Sequence, residues 1–285
     1  MKKSFLLYLL IFGTCSLSFS QTSFDVQVTG SGPAIILIPG LASDGDVWKE
    51  TAEQLSQNYE CHVLTLPGFA GQPSMDLSEG FLPQVKTQIT EYIHSLDQEV
   101  ILIGHSLGGF LSLQLANELP DQVKQAVIVD SYPFYSAAMN PAATVESMKP
   151  MAAQMKQMIE ALSEEDFEKQ QNAGMPMMTN TQDRIPTLVS WSLASDRSTF
   201  SQAMYELMLT DYRKNLSTLK TPILVLGAWY SGKDYGLTAE SVKGNFAQQY
   251  QLAENVQIEM APTAFHFIMW DNPEWMMEKI HAFIQ

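Results

Sequence analysis

The chain has 285 residues, 46% of them hydrophobic and 16% charged, with 16 Lys+Arg against 31 Asp+Glu, a net charge of −15, and 14 Phe, 10 Tyr and 5 Trp beside 2 Cys. That much apolar mass builds a sizeable core and excludes a disordered, collagen-like or disulfide-stapled chain; one large domain with an insertion fits the length. The acidic balance argues against nucleic acid and anionic membrane surfaces as partners, because both need a basic face.

In chain order, the first element is a processing segment. Met1-Lys2-Lys3 precedes an apolar run from Phe5 to Phe12 and a small-residue stretch ending Ser18-Phe19-Ser20. This reads as a bacterial-type secretory signal over residues 1–20, cleaved after Ser20 to leave a secreted or periplasmic chain that is not held at the membrane. An uncleaved anchor would need about 20 apolar residues. A lipid on Cys15 is the other alternative, and Phe12-Gly13-Thr14 suits it poorly. Cleavage leaves Cys61 as the only cysteine, so no intrachain disulfide forms even in an oxidising compartment. Cys61 opens an apolar run and is expected to be a buried, inert thiol.

Six short apolar runs then predict strands: 34–38, 61–65, 100–103, 126–129, 223–226 and 256–260. The first five are nearly continuous rather than alternating, as strands covered on both faces must be. Between them, Val85, Ile89, Ile93 and Leu96 mark one helical face and Leu107, Leu111 and Leu115 another. Strand and helix alternate, which predicts an α/β fold with a mostly parallel central sheet and helices on both faces.

The segment Val100-Ile101-Leu102-Ile103-Gly104-His105-Ser106-Leu107-Gly108 runs from a buried strand through G-x-S-x-G into a helix. A serine on so sharp a turn projects its hydroxyl from the sheet edge, and glycines on either side avoid collisions with the flanking strand and helix. Ser106 is therefore the candidate nucleophile, against the plainer reading of a helix-capping serine.

Residues 131–215 break the rhythm. No comparable strand run occurs, and ten of the 16 methionines fall there. Met148, Met151, Met155 and Met158 share helical spacing, which suits either the core face of a helical subdomain or an adaptable apolar pocket. On the second reading Met151, Met155 and Met158 bind substrate. Ser163 before Glu164-Glu165-Asp166 is expected to cap a helix.

These features resemble the α/β-hydrolase superfamily over essentially the whole chain after residue 20. Gly104-His105-Ser106-Leu107-Gly108-Gly109 resembles its nucleophile elbow. Ile38-Pro39-Gly40-Leu41 followed by Trp48 resembles its oxyanion loop, and Leu66-Pro67-Gly68-Phe69-Ala70-Gly71 the next strand's exit loop. Pro39 stands before Gly40 where a histidine-glycine pair is common, and the triple-glycine loop of many lipases is lacking. The resemblance implies a hydrolase core over 21–130 and 216–285, with 131–215 as a helical cap. It also implies an oxyanion hole from the backbone N–H groups of Leu41 and Leu107.

The order Ser, acid, His then directs attention to five histidines. His62 falls in a strand, His94 on a helix, His105 in the elbow and His281 in the last helix. His266, in Phe265-His266-Phe267-Ile268-Met269-Trp270-Asp271-Asn272-Pro273, resembles the loop that carries the general base. For the acid, Asp234 after the strand 223–226 is preferred, although Ala228 to Ser231 lengthen its connection. Asp130, at the end of the strand 126–129, is the alternative.

The expected protein is a serine hydrolase that works through an acyl-enzyme, acting on small or medium apolar carboxylic esters. Amides, lactones, thioesters and lyase chemistry remain open, as does a noncatalytic binding module on the same fold. No residues have zinc spacing and no loop has a nucleotide fingerprint, so no metal or cofactor is expected. No partner beyond a small-molecule substrate is implied, and the oligomeric state is not specified.

Overall fold

The computed structural model describes residues 23–285. The expected signal segment, its expected cleavage after Ser20, and Cys15 lie outside the described residues. The chain runs β1 (Asp25–Gly30), β2 (Ala34–Ile38), α1 (Lys49–Leu55), β3 (Glu60–Thr65), α2 (Leu82–Ser95), β4 (Val100–His105), α3 (Leu107–Glu118) and β5 (Val123–Val129). Five helices follow: α4 (Tyr135–Met139), α5 (Val145–Ala161), α6 (Glu164–Gly174), α7 (Ile185–Ala194) and α8 (Arg197–Leu209). The chain closes with β6 (Ile223–Gly227), α9 (Ala239–Gln249), β7 (Val256–Met260), α10 (Ile268–Asp271) and α11 (Pro273–Ile284).

The seven strands form one sheet in the order β1-β3-β2-β4-β5-β6-β7, parallel except for β1, which pairs antiparallel with β3. The period of two along each strand sorts the apolar runs between two faces. Ile36, Ile38, Leu102, Ile128 and Val225 pack with Val85, Ile89 and Ile93 of α2, Leu111 and Leu115 of α3 and Phe246 of α9. On the opposite face Ile35, Leu37, Ile101, Ile103, Val127 and Leu224 pack with Ala52 and Leu55 of α1 and Met276, Ile280 and Ile284 of α11. Cys61 joins the second cluster, fully buried, and burial pushes its thiol up to about 11. The predicted runs thus become β2 to β7. The sequence reading missed β1, whose residues are nearly all exposed.

The helical insertion rests on the edge of the sheet where the parallel strands end. The Asp196 N–H donates to the Gly68 carbonyl at 2.7 Å and the Gly71 N–H to Ala194 at 3.1 Å, both in the loop after β3. After β7, the Phe267 N–H donates to the Met178 carbonyl at 3.2 Å. Ser163 caps α6 as expected, its hydroxyl accepting from the Asp166 N–H. Among the described residues no helix is long and apolar enough to cross a membrane.

Candidate active site

β4 ends on a fully buried strand and hands the chain to α3 through Ser106, whose backbone lies at φ 52° and ψ −117°. Such a conformation is costly for a non-glycine residue and persists only when its surroundings hold it. Here the Ser106 N–H donates to the Val129 carbonyl at 2.9 Å, and its own carbonyl accepts the Phe110 N–H at 2.9 Å. Crowding explains the flanking glycines. A Cβ on Gly104 would lie 2.2 Å from the Gly108 carbonyl oxygen, and one on Gly108 would lie 2.2 Å from that of Ile38.

The loop after β2 approaches the turn just as closely. A Cβ on Gly40 would come within 2.9 Å of His105 Nδ1 and 3.1 Å of Ser106 Cβ. Next along each segment stand the N–H groups of Leu41 and Leu107. Among the described residues neither donates to a backbone carbonyl, and Leu107 opens α3, where the helix dipole favours negative charge. This pair can stabilise an oxyanion beside the Ser106 hydroxyl.

His266 lies in the loop between β7 and α10. Its Nδ1 sits 2.6 Å from Asp130 Oδ2, and both side chains are mostly buried. Asp130 follows β5 directly, with φ 47°, its N–H bonded to the Leu226 carbonyl at 2.8 Å. Its other oxygen, Oδ1, accepts the Ala228 N–H at 2.9 Å. Because β4, β5 and β6 are neighbours in register, Ser106 and Asp130 leave the sheet side by side. A carboxylate on Nδ1 leaves His266 Nε2 as the nitrogen free to take a proton. Among the described residues no hydrogen bond joins the Ser106 hydroxyl to His266; such contacts are often longer before substrate binds.

His105 is buried behind this group. Its Nε2 lies 3.0 Å from the His266 carbonyl, which can only accept, so Nε2 carries the proton. Burial holds its pKa well below the ordinary histidine value, and neighbouring His266 adds to the effect, so the ring is neutral. Trp48 packs edge-on to it at 6.4 Å, and Phe267 lies tilted against it at 4.8 Å. Among the described residues no group of three or more His, Cys, Asp or Glu could hold a metal ion.

Residues 35–279 match the profile of the Alpha/beta hydrolase family. The chain belongs to this family. Among curated relatives, the pimeloyl-(acyl-carrier protein) methyl ester esterase of Aeromonas salmonicida is 36% identical over 115 residues, 40% of this chain and 44% of that protein. The match therefore spans less than half of that relative's length. The same-named esterase of Pseudoalteromonas atlantica is 25% identical over 248 residues, 86% of this chain and 92% of its own. Among solved structures, a thermophilic esterase from Thermogutta terrifontis superposes with a TM-score of 0.75 at 17% identity, covering 92% of each chain. An enol-lactonase from Burkholderia xenovorans superposes with a TM-score of 0.73 at 13% identity, covering 92% of this chain and 96% of the other. Both likenesses show the fold.

Within this alpha/beta hydrolase the structure brings together Ser106, His266, Asp130, Leu41 and Leu107. It gives His266 the alternative acid, not the preferred one, as its neighbour. Asp234 lies in an exposed turn, Tyr230–Tyr235, and the partner of His266 is Asp130. The physical reason is reach. Asp130 leaves the sheet next to Ser106, whereas Asp234 is carried seven residues beyond the end of β6.

The methionines also fall differently. α5 packs mainly on α8 through Ala152 and Ile159, leaving Met151 and Met158 exposed and Met155 half-buried. Met175 and Met178 instead pack on the cluster that holds Phe267, the residue after His266, and Trp270. Sequence reasoning also assigned no role to His105 or Asp271. A histidine inside the elbow motif and an acid five residues past the base candidate were the available signals.

Proposed function

We propose that this protein is a serine esterase. Ser106 is the nucleophile, His266 the general base and acid, Asp130 the orienting carboxylate, and the N–H groups of Leu41 and Leu107 the oxyanion hole. The observation that carries the reading is the 2.6 Å contact of Asp130 with His266 Nδ1 at the strand ends where Ser106 turns out of the sheet. Ser106 Oγ attacks the ester carbon while its proton passes to His266 Nε2, and the carbonyl oxygen becomes the oxyanion. Collapse breaks the bond to the alkoxy oxygen, which leaves as the alcohol with that proton. Water then attacks the acyl-enzyme, giving its proton to His266, and the acid departs as the Ser106 hydroxyl re-forms. The names of the curated relatives support ester chemistry. The net charge of −15 favours neutral apolar esters of small or medium size over anionic ones.

A fluorophosphonate should label one serine per chain, and Ser106→Ala should lose both labelling and ester hydrolysis, by at least about 10³-fold. A variant that keeps more than a few per cent of turnover would sink the assignment. Export is part of the same proposal, on the signal-like residues 1–20. Mass spectrometry of the protein from its own cell should find Gln21 at the N-terminus; an intact Met1 or a lipid on Cys15 refutes it.

A further inference from the structure

The backbone of His266 is held at three consecutive residues. From the elbow side, His105 Nε2–H donates to the His266 carbonyl at 3.0 Å. On the far side, the Phe267 N–H donates to Met178, which belongs to the helical insertion. On the near side, the Phe265 N–H donates to Asp271 Oδ2 at 2.8 Å. Asp271 is the last residue of α10, and its carboxylate does not serve that loop alone.

The same carboxylate collects the turn that leads into α7 of the insertion. Oδ1 accepts the hydroxyls of Thr179 at 2.8 Å and Thr181 at 2.7 Å, together with the Thr181 N–H at 3.0 Å. The Asn180 N–H lies 2.9 Å from both oxygens. Thr179 is fully buried in this contact. Five donors, four of them from the insertion and one from the residue before His266, therefore converge on one side chain. Stacking extends the junction, since Trp270 lies face-to-face on Phe267 at 5.1 Å and beside Trp191 of α7 at 5.9 Å.

We propose that Asp271 is a positioning residue that ties the helical insertion to the base, so that the placement of His266 depends on the insertion being seated. The proposal rests on the reading of His266 as the base. Asp271 touches neither substrate nor the reacting atoms. Its effect is to keep Nε2 in line with Ser106, and a small misplacement of a catalytic group costs rate rather than ground-state affinity.

Asp271→Asn keeps the volume and one acceptor oxygen, but its amide cannot accept from the insertion and from Phe265 at once. On a neutral p-nitrophenyl ester, with rates per active site fixed by fluorophosphonate titration, kcat should fall about 10- to 100-fold while KM moves less than about threefold. Thr179→Val with Thr181→Val, which leaves the carboxylate and the Phe265 bond intact, should lower kcat in the same direction by less. Unchanged kcat per active site in both variants, or a rise in KM alone, overturns the coupling. If Asp271→Asn does not fold, the threonine pair decides: reduced kcat at constant KM supports the proposal and wild-type kcat refutes it. Ser106→Ala and His266→Ala run beside these keep the two readings apart. Activity in either one removes the assignment of the site, whereas their inactivity with unperturbed Asp271 and threonine variants removes only the coupling.

Discussion

With one oxygen of Asp130 held by the Ala228 N–H and the other against His266 Nδ1, the carboxylate cannot turn away from the imidazole without losing a bond at each end. An asparagine there would offer one acceptor and one donor, and the wrong tautomer of His266 would result. Asp130→Asn should therefore lower kcat by up to about 10⁴-fold with the fold intact. Asp234→Asn, on an exposed turn, should leave kcat within about twofold. Steady-state kinetics on the two variants checks this, and the opposite ranking would return the role to Asp234. At this scale Ser106 and His266 could be singled out as candidates because each sits in a local pattern, an elbow or a loop before a Pro-started helix. Which carboxylate meets His266 was not legible, since the choice between two aspartates depends on which strands are neighbours, and strand order is not written in either local sequence.

Elements were legible where burial makes a sequence uniform. The runs that became β2 to β6 are apolar almost throughout because helices cover both of their faces, and the stripes on α2 and α3 stand out for the same reason. β1 escaped notice because an edge strand with one partner and an exposed surface carries no such run. The methionines of α5 show the opposite error, in which helical spacing identified a helix but not the face it buries. Met151 and Met158 are 55% and 48% exposed, so replacing both with Leu should leave the acyl chain-length profile as it is. Met175→Leu with Met178→Leu, beside Phe267 and Trp270, should narrow that profile, since a branched side chain adapts less than a thioether. Relative kcat/KM across acetyl to octanoyl esters separates these outcomes; a shift produced by the α5 pair would restore the original pocket.

For the whole molecule, two buried histidines contribute a pH dependence to stability. His105 is held well below the ordinary value by burial, with His266 adding to it; His62 is also lowered by burial, despite the opposing pull of Glu60. An unfolded chain takes up these protons near pH 6.5 while the folded one resists. Their contribution to stability is therefore fully present above about pH 6.5 and is lost as pH falls below it, each group steepening the fall by at most about 1.4 kcal/mol per pH unit. Thermal melting between pH 7.5 and 5.5 should show Tm dropping before the carboxylates titrate. His62→Gln should flatten the slope, and a level Tm across that range would contradict the argument.

The position of the acid has a consequence for the chain after β6. On the proposed assignment, with Asp130 as the acid at the end of β5, the stretch after Tyr230 takes no part in proton transfer. Its last firm attachments are the Trp229 indole on the Ala261 carbonyl and the Tyr230 N–H on that of Ala264. From Ser231 to Leu237 the chain makes a surface turn that can lengthen, shorten or change composition with little penalty in closure entropy. Tyr230 stands 6.3 Å from Phe265, the neighbour of His266, so this turn begins beside the His266 loop. Changes in that turn can therefore alter what lies beside the His266 loop while leaving the Asp130–His266 pair in place.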